Sequence, residues 1–337
     1  MQLSPLSVIA ACLLALIGPG CVKSTASRQQ APPSKTFINP ILSAPSQDPW
    51  MILDGSRYFY CEARESVIVV RGANRITGIG QDPGRIVWRA PGSGPYSREV
   101  WAPELHHIGQ KWYIYFAADD GKNEHHRMWV IEADNPLGPY SDPVKLETGG
   151  WAIDGTVVWD PANGVYFVWS GWPGEVDGEQ NLYIARMRSP LSVDTPRTLL
   201  ASPTEPWERN TMPICEGPEG LLHEGRLSII YSASGSWTRD YCLGLLVFQG
   251  GNPLDPGAWV KRGPVFGSTD SVWGVGHCSI VPSTDGKEAW LLYHAKEKRE
   301  NGWDDRSVRA QKISWNDDGT PALGVPLPVS RRIPEPE

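Results

Sequence analysis

The chain is short of the residues that build metal sites by spacing. It has six cysteines, and two of them, Cys12 and Cys21, fall in or beside an N-terminal apolar run. Cys61, Cys215, Cys242 and Cys278 remain, with no Cys-x-x-Cys pair and no Cys/His ladder among them. That excludes a zinc site of ordinary spacing and leaves room for one disulfide in an oxidising compartment. Basic blocks and stripes are missing and the net charge is −7, so nucleic acid is excluded as a partner. Beyond residue 21 no long stretch repeats apolar residues at a helical period. Helices are therefore not the building elements.

The composition is rich in turns and tryptophan instead. Thirty-five glycines and 31 prolines are spread along the chain, which implies many short elements. Sixteen tryptophans serve as core filling and as flat apolar platforms of the kind that sugar rings lie on. The run "LSVIAACLLALIG" has the length of an export-signal core and is short for a membrane span. It leads to Gly20-Cys21, followed by the polar run "VKSTASRQQAPPSK". Cys21 resembles the acceptor of a bacterial lipoprotein signal, although no Lys or Arg precedes the run and Gly18 stands where that signal has leucine. The expectation is a signal of residues 1–21, a tether of residues 22–35 and one folded domain of residues 36–337. The protein is then exported, as a cell-envelope lipoprotein or in secreted form, and meets a membrane only through a lipid on Cys21.

The folded part alternates aromatic, β-branched runs with Gly, Asp, Asn and Pro, the pattern of short strands. Similar hairpin landmarks recur in "LDGSRYFYCEA", "HIGQKWYIYFAA", "DPANGVYFVWSG", "HEGRLSIIYSAS" and "TDGKEAWLLYHA". Their strands start near 57, 111, 164, 226 and 288. Five units of roughly 50–60 residues predict an all-β, five-bladed β-propeller with four strands per blade and a central funnel. A β-sandwich does not explain so regular a period. The segment before each hairpin becomes the innermost strand. Three of these carry an isolated acid among apolar neighbours, Asp48 in "SQDPWMI", Asp154 in "WAIDGTVVW" and Glu216 in "PICEGPEGLL"; the fifth carries His277. Each acid alone reads as a turn residue. Three that converge on one axis read as the carboxylates of glycoside hydrolysis.

These segments, together with "VWAPELHHIGQKWYIYFAA" and "GVGHCSIVPSTDGKEAWLLYHA", resemble glycoside hydrolase family 43, and the likeness spans about residues 37–315. The resemblance implies an inverting enzyme with Asp48 as general base, Glu216 as general acid and Asp154 as the acid that tunes and orients Glu216. The base and the acid are then expected roughly 6.5–9.5 Å apart. It also places Trp101, and with them Trp50 and Trp172, on the sugar pocket, and His277 near the axis as a substrate-binding residue or beside a structural calcium. No cofactor is required for the chemistry. Arg309, in "DDRSVRAQKI", matches an arginine sent to the pocket, though Ser307 stands where the family has histidine. Glu104 reads as a hydrogen-bonding blade residue. Cys215 and Cys278 replace asparagines and are expected either to face each other as a disulfide or to be free buried thiols. The variant segments most resemble the exo-acting α-L-arabinofuranosidase branch, which implies arabinan, arabinoxylan or their oligosaccharides as the partner. The alternatives are a β-xylosidase of the same fold and a non-catalytic sugar-binding propeller.

Overall fold

The structure, a computed structural model, describes residues 35–194 and 196–336. The segments expected to be a signal (1–21, with Cys21) and a tether, as far as residue 34, lie outside the described residues.

Five antiparallel sheets follow one another along the chain, and within each the strands lie side by side in chain order. Their innermost strands are Trp50–Asp54, Arg98–Ile108, Ala152–Asp160, Cys215–His223 and Trp273–Pro282. Each innermost strand touches the next, and the fifth touches the first, so the sheets close into a five-bladed propeller. The second strands begin at Arg57, Lys111, Gly164, Arg226 and Ala289, as the repeated landmarks predict. Blade 3 departs from four strands: Ser192–Val193 and Thr198–Ala201 both pair with Asn181–Ser189.

These sheets are covered on both faces, which explains why their strands are continuously apolar rather than alternating. Five apolar clusters fill the five gaps between neighbouring blades. Tyr115, Phe167 and Trp169 join blades 2 and 3; Tyr60, Trp290 and Val308 join blades 5 and 1. This last gap is where the ring must close. Residues 36–46 run along the third strand of blade 5 (Arg306–Trp315) and latch it. Ile41 N–H donates to the Val308 carbonyl at 2.8 Å and Ser46 N–H to the Arg306 carbonyl at 2.8 Å. The buried Asn39 side chain bonds both backbone groups of Ala310, each at 2.9 Å. Thr36–Phe37 pairs with Ile333–Pro334.

A shared backbone device opens every inner strand. Asp48 (φ 49°), Ala102 (42°), Asp154 (55°), Gly217 (51°) and His277 (43°) all lie in the left-handed region. In blades 2 to 5 a break in the pairing register accompanies it, as between Ile153 and Thr156 and between Glu216 and Glu219. A bulge of this kind bends the strand and re-aims a side chain. Non-glycine residues at such φ cost free energy and concentrate at functional sites.

The Asn39 clasp gives a stability test. Asn39→Ala leaves a buried N–H and C=O of Ala310 without partners, which costs about 2–3 kcal/mol in total. Urea unfolding is expected to show that loss, while Trp159→Ala, at a side chain 60% exposed, changes stability by less than about 0.5 kcal/mol.

Candidate active site

The left-handed residues gather the polar groups at one end of the hub. His277 Nδ1 stands 3.3 Å from Asp48 Oδ1 and 3.9 Å from Asp154 Oδ2. Arg306 Nη1 is 3.6 Å from Asp48 Oδ1, and His294 Nδ1 is 3.3 Å from the same oxygen while accepting the Asp48 N–H at 3.2 Å. The Gly217 N–H donates to Asp154 Oδ2 at 3.1 Å. Asp154 therefore grips the peptide that follows Glu216 and fixes where that side chain points. Tyr241 OH donates to Glu216 Oε1 at 2.8 Å, and its ring stacks on His294. The sequence pattern brings together Asp48, Asp154, Glu216 and His277, and the structure places all four at the hub.

The environments of these acids differ. Asp154 and Glu216 are nearly inaccessible; the Asp48 side chain is 21% exposed. Burial pushes Asp48 up, but the His277 imidazole and the Arg306 guanidinium overcome it and hold this carboxyl well below the usual range. Burial pushes Glu216 up to about 7, with the Asp48 charge adding to it and the Tyr241 hydrogen bond and Arg306 opposing it. Burial also lifts Asp154 to about 7; His277 opposes this, and the charges of Glu216 and Asp48 add to it. His294 is driven down to about 4 by burial and is neutral around pH 7. Asp48 is thus held ionised and open to water, while Glu216 and Asp154 keep their protons up to about pH 7.

Alternation along the inner strands puts the residue two beyond each left-handed position on the axis as well. That second layer holds Trp50, Glu104, Thr156, Glu219 and Ser279. Glu219 Oε1 accepts the Ile280 N–H of the next blade at 3.2 Å, and Glu104 contacts His106 Nε2 at 2.9 Å. Burial lifts Glu219 to about 8. It also lifts Glu104 well above the carboxylate range, and the Glu219 charge adds to that. Glu219 Oε2, Thr156 Oγ1 and Ser279 Oγ are buried without a protein partner, the kind of atoms that buried water meets.

Several expectations need correction. Glu216 is not the positional equivalent of Asp48 and Asp154; it precedes the left-handed Gly217 by one residue, and its counterpart in blade 2 is Trp101. Trp101 is half-buried and stacks on His126 at 4.0 Å. Trp50 lies in the layer below the acids and donates to the Leu105 carbonyl at 2.7 Å. Trp172 is not an open platform: it is 3% exposed and lies flat on Trp151 at 4.6 Å between blades 2 and 3. Arg309 does not reach Asp48. It is buried opposite Tyr293 and donates to the Lys296 carbonyl at 3.3 Å; Arg306 takes the place expected of it. Of the two states expected for Cys215 and Cys278, the structure has the free buried thiols, the first packed between blades 3 and 4 and the second between blades 4 and 5. Cys215 Sγ instead faces Glu208 Oε1 at 3.5 Å. Tyr241, His294, Arg306 and Glu219 escaped the sequence reading; their segments signal only strand or turn.

Calcium takes six to eight oxygen ligands. Among the described residues no three His, Cys, Asp or Glu side chains gather to hold a metal, and His277 turns Nδ1 to the carboxylates. An open cleft of about 640 Å³ between the turns at 160–163, 224–226 and 317–319 lies at the far end of the ring and holds none of the hub acids.

Raised carboxyl pKa values make stability pH-dependent, and Glu219 isolates the effect. A group protonated in the fold but ionised at about 4.5 when unfolded stabilises fully below that value and loses its contribution as pH rises towards 8. Glu219→Gln keeps the acceptor for Ile280. Between pH 5 and pH 8.5 the variant is expected to lose at least about 1 kcal/mol less stability than the unaltered protein, read by urea unfolding at each pH.

The extracellular exo-alpha-(1->5)-L-arabinofuranosidase of Streptomyces avermitilis is 34% identical over 316 residues, which cover 88% of this chain and 65% of that protein. Alpha-L-arabinofuranosidase 43 of Humicola insolens is 34% identical over 317 residues, with the same coverage. This chain therefore spans just under two thirds of the length of these curated relatives. The crystal structure of an alpha-L-arabinofuranosidase from Lactobacillus brevis superposes with a TM-score of 0.80 at 33% identity, covering 87% of this chain and 98% of that one. The family model described as glycosyl hydrolases family 43 matches residues 37–321, from the latch to the outer strand of blade 5, and the chain belongs to that family.

Proposed function

We propose that the protein is an inverting exo-glycosidase that releases terminal α-L-arabinofuranosyl residues from arabinan- or arabinoxylan-type chains. The observation that carries the mechanism is the opposite surroundings of two carboxyls at one hub: Asp48, open to water beside Arg306 and His277, is held ionised, and Glu216, nearly inaccessible and bonded to Tyr241, keeps its proton up to about pH 7. Pairs pushed apart in this way mark the base and the acid. A water beside the more open Asp48 loses its proton to that carboxylate and attacks the anomeric carbon. Glu216 gives its proton to the glycosidic oxygen as the bond to the leaving sugar breaks. Asp154 orients Glu216 through Gly217, Arg306 and His277 keep Asp48 ionised, and His294 holds the Asp48 peptide N–H. No step is routed through a metal. A purely sugar-binding propeller has no use for carboxyls set apart in this manner. The arabinose assignment is supported by the names of the relatives and by 33–34% identity to them. We also propose export, supported by the apolar N-terminal run and by two relatives named extracellular; the lipid on Cys21 is the finer part of that proposal.

Hydrolysis of 4-nitrophenyl α-L-arabinofuranoside, with the β-D-xyloside as comparison, tests the substrate; turnover of the xyloside alone moves the assignment to a β-xylosidase. Asp48→Asn is expected to lower kcat about 10²–10⁴-fold on any arabinoside. Glu216→Gln is expected to cost much more on an arabino-oligosaccharide than on the nitrophenyl glycoside, whose leaving group needs little protonation. Equal losses on both would remove Glu216 from the acid role.

The pH profile gives a further check. Activity requires Glu216 protonated, so kcat/KM is expected to fall above about pH 7. Tyr241→Phe removes a bond that lowers the Glu216 pKa, and the alkaline limb is expected to move to higher pH. A downward move contradicts the assignment of that limb to Glu216.

A further inference from the structure

Two tryptophans are exposed among the described residues, Trp159 and Trp303. Trp159 lies beside the turn at 160–164, at the far end of the ring. Trp303 lies at the catalytic end, in the loop between Lys296 and Arg306, and is 53% exposed. A second loop, residues 234–240 of blade 4, carries the half-buried Trp237.

Both loops are anchored to the reacting carboxyls. The blade 4 loop leaves the strand whose Ser232 pairs with Glu216 and returns at Tyr241, which donates to Glu216. The blade 5 loop ends at Arg306, beside Asp48, and Arg306 Nε donates to the Trp303 carbonyl at 3.0 Å. The loops are also tied to each other. Gly302 N–H donates to the Trp237 carbonyl at 2.8 Å, and Trp303 Nε1 donates to Ser236 Oγ at 3.3 Å. The two indoles lie 5.3 Å apart at 52°. Beneath them the fully buried Lys296 holds the Gly302 carbonyl and Asp305 Oδ1, and Asp305 Oδ2 accepts the Lys298 N–H at 2.9 Å. A Cβ on Gly235 would meet the Trp237 ring at 3.0 Å, so that indole lies directly on the backbone. The pair is a braced aromatic ledge rather than a loose surface patch.

The general acid protonates the oxygen of the departing sugar, so the leaving group lies on the Glu216 side of the scissile bond. The ledge joins the loop that returns at Tyr241, the partner of Glu216, to the loop that ends at Arg306, beside Asp48. We propose that Trp303 and Trp237 seat the leaving-group sugar, the residue next to the terminal one, by stacking against its C–H face, and thereby select chain ends over small aglycones. This rests on the glycosidase reading above and names the part of the site that reads the rest of the chain. A flat apolar face held by its own N–H is suited to this task, because little conformational entropy remains to be lost on binding.

The test compares arabinotriose with α-L-arabinofuranosyl fluoride, whose leaving group has no ring to stack. In Trp303→Ala the ratio of kcat/KM for arabinotriose to that for the fluoride is expected to fall about tenfold, mainly through KM, as loss of one aromatic contact implies. Trp303→Phe is expected to restore most of the ratio. An unchanged ratio, or equal losses on both substrates, overturns the proposal. Calorimetric binding of arabinotriose to Glu216→Gln protein reads the ledge without turnover: Trp303→Ala in that background is expected to weaken binding about tenfold, and unchanged binding sinks the ledge. If the unaltered protein hydrolyses neither substrate, the glycosidase reading fails on its own, and the binding measurement still decides the ledge.

Discussion

The left-handed residue at the mouth of each inner strand is the constraint on which the site depends. A regular strand would point alternate side chains at the hub and into the gaps between blades. The kink at Asp48, Asp154 and His277 turns those side chains towards one another instead, at a cost in backbone strain. The strain is held by surrounding bonds, several of which join blades: His294 to Asp48 across blades 5 and 1, Asp154 to Gly217 across 3 and 4, Ser232 to His277 across 4 and 5. Reactive groups and fastenings of the ring are therefore partly the same atoms.

Charge follows from that crowding. Several carboxyls at one hub cannot all ionise cheaply. Negative charge is concentrated on Asp48, where Arg306, His277 and His294 surround it, and burial keeps Glu216, Asp154, Glu219 and Glu104 closer to neutral. The contrast between Asp48 and Glu216 emerges from placement, since both are ordinary carboxyls.

The period of the hairpins and the three isolated acids were legible in the sequence because both sit at punctuated, repeated places. What was not legible depended on strand face. Arg306 and Arg309 share one short segment but lie on opposite faces, and which face meets the hub is set by the register with Ala289–Lys296 across the loop at 297–305. Cys215 and Cys278 each neighbour a hub residue, so alternation sends both thiols away from the axis into different gaps; that much could have been read. Trp172 follows a strand end and packs on Trp151 from another segment, which no local pattern shows. Tyr241 looks like the start of an ordinary strand, and its tie to Glu216 appears only once the loop at 234–240 is folded.

The pairing of Thr36 with Pro334 and of Phe37 with Ile333 has a mechanical consequence. Both chain ends leave this two-stranded ribbon from the same edge. Tension applied between them would peel the rungs one at a time instead of shearing them together. Beyond the ribbon the same pull meets the Asn39 clasp, then Ile41, then Ser46, and only after those the Asp48 peptide. The Asp48 peptide is the last rung of a zipper that starts at the Thr36–Pro334 pair, so a partly peeled molecule would keep its hub until the latch had almost gone.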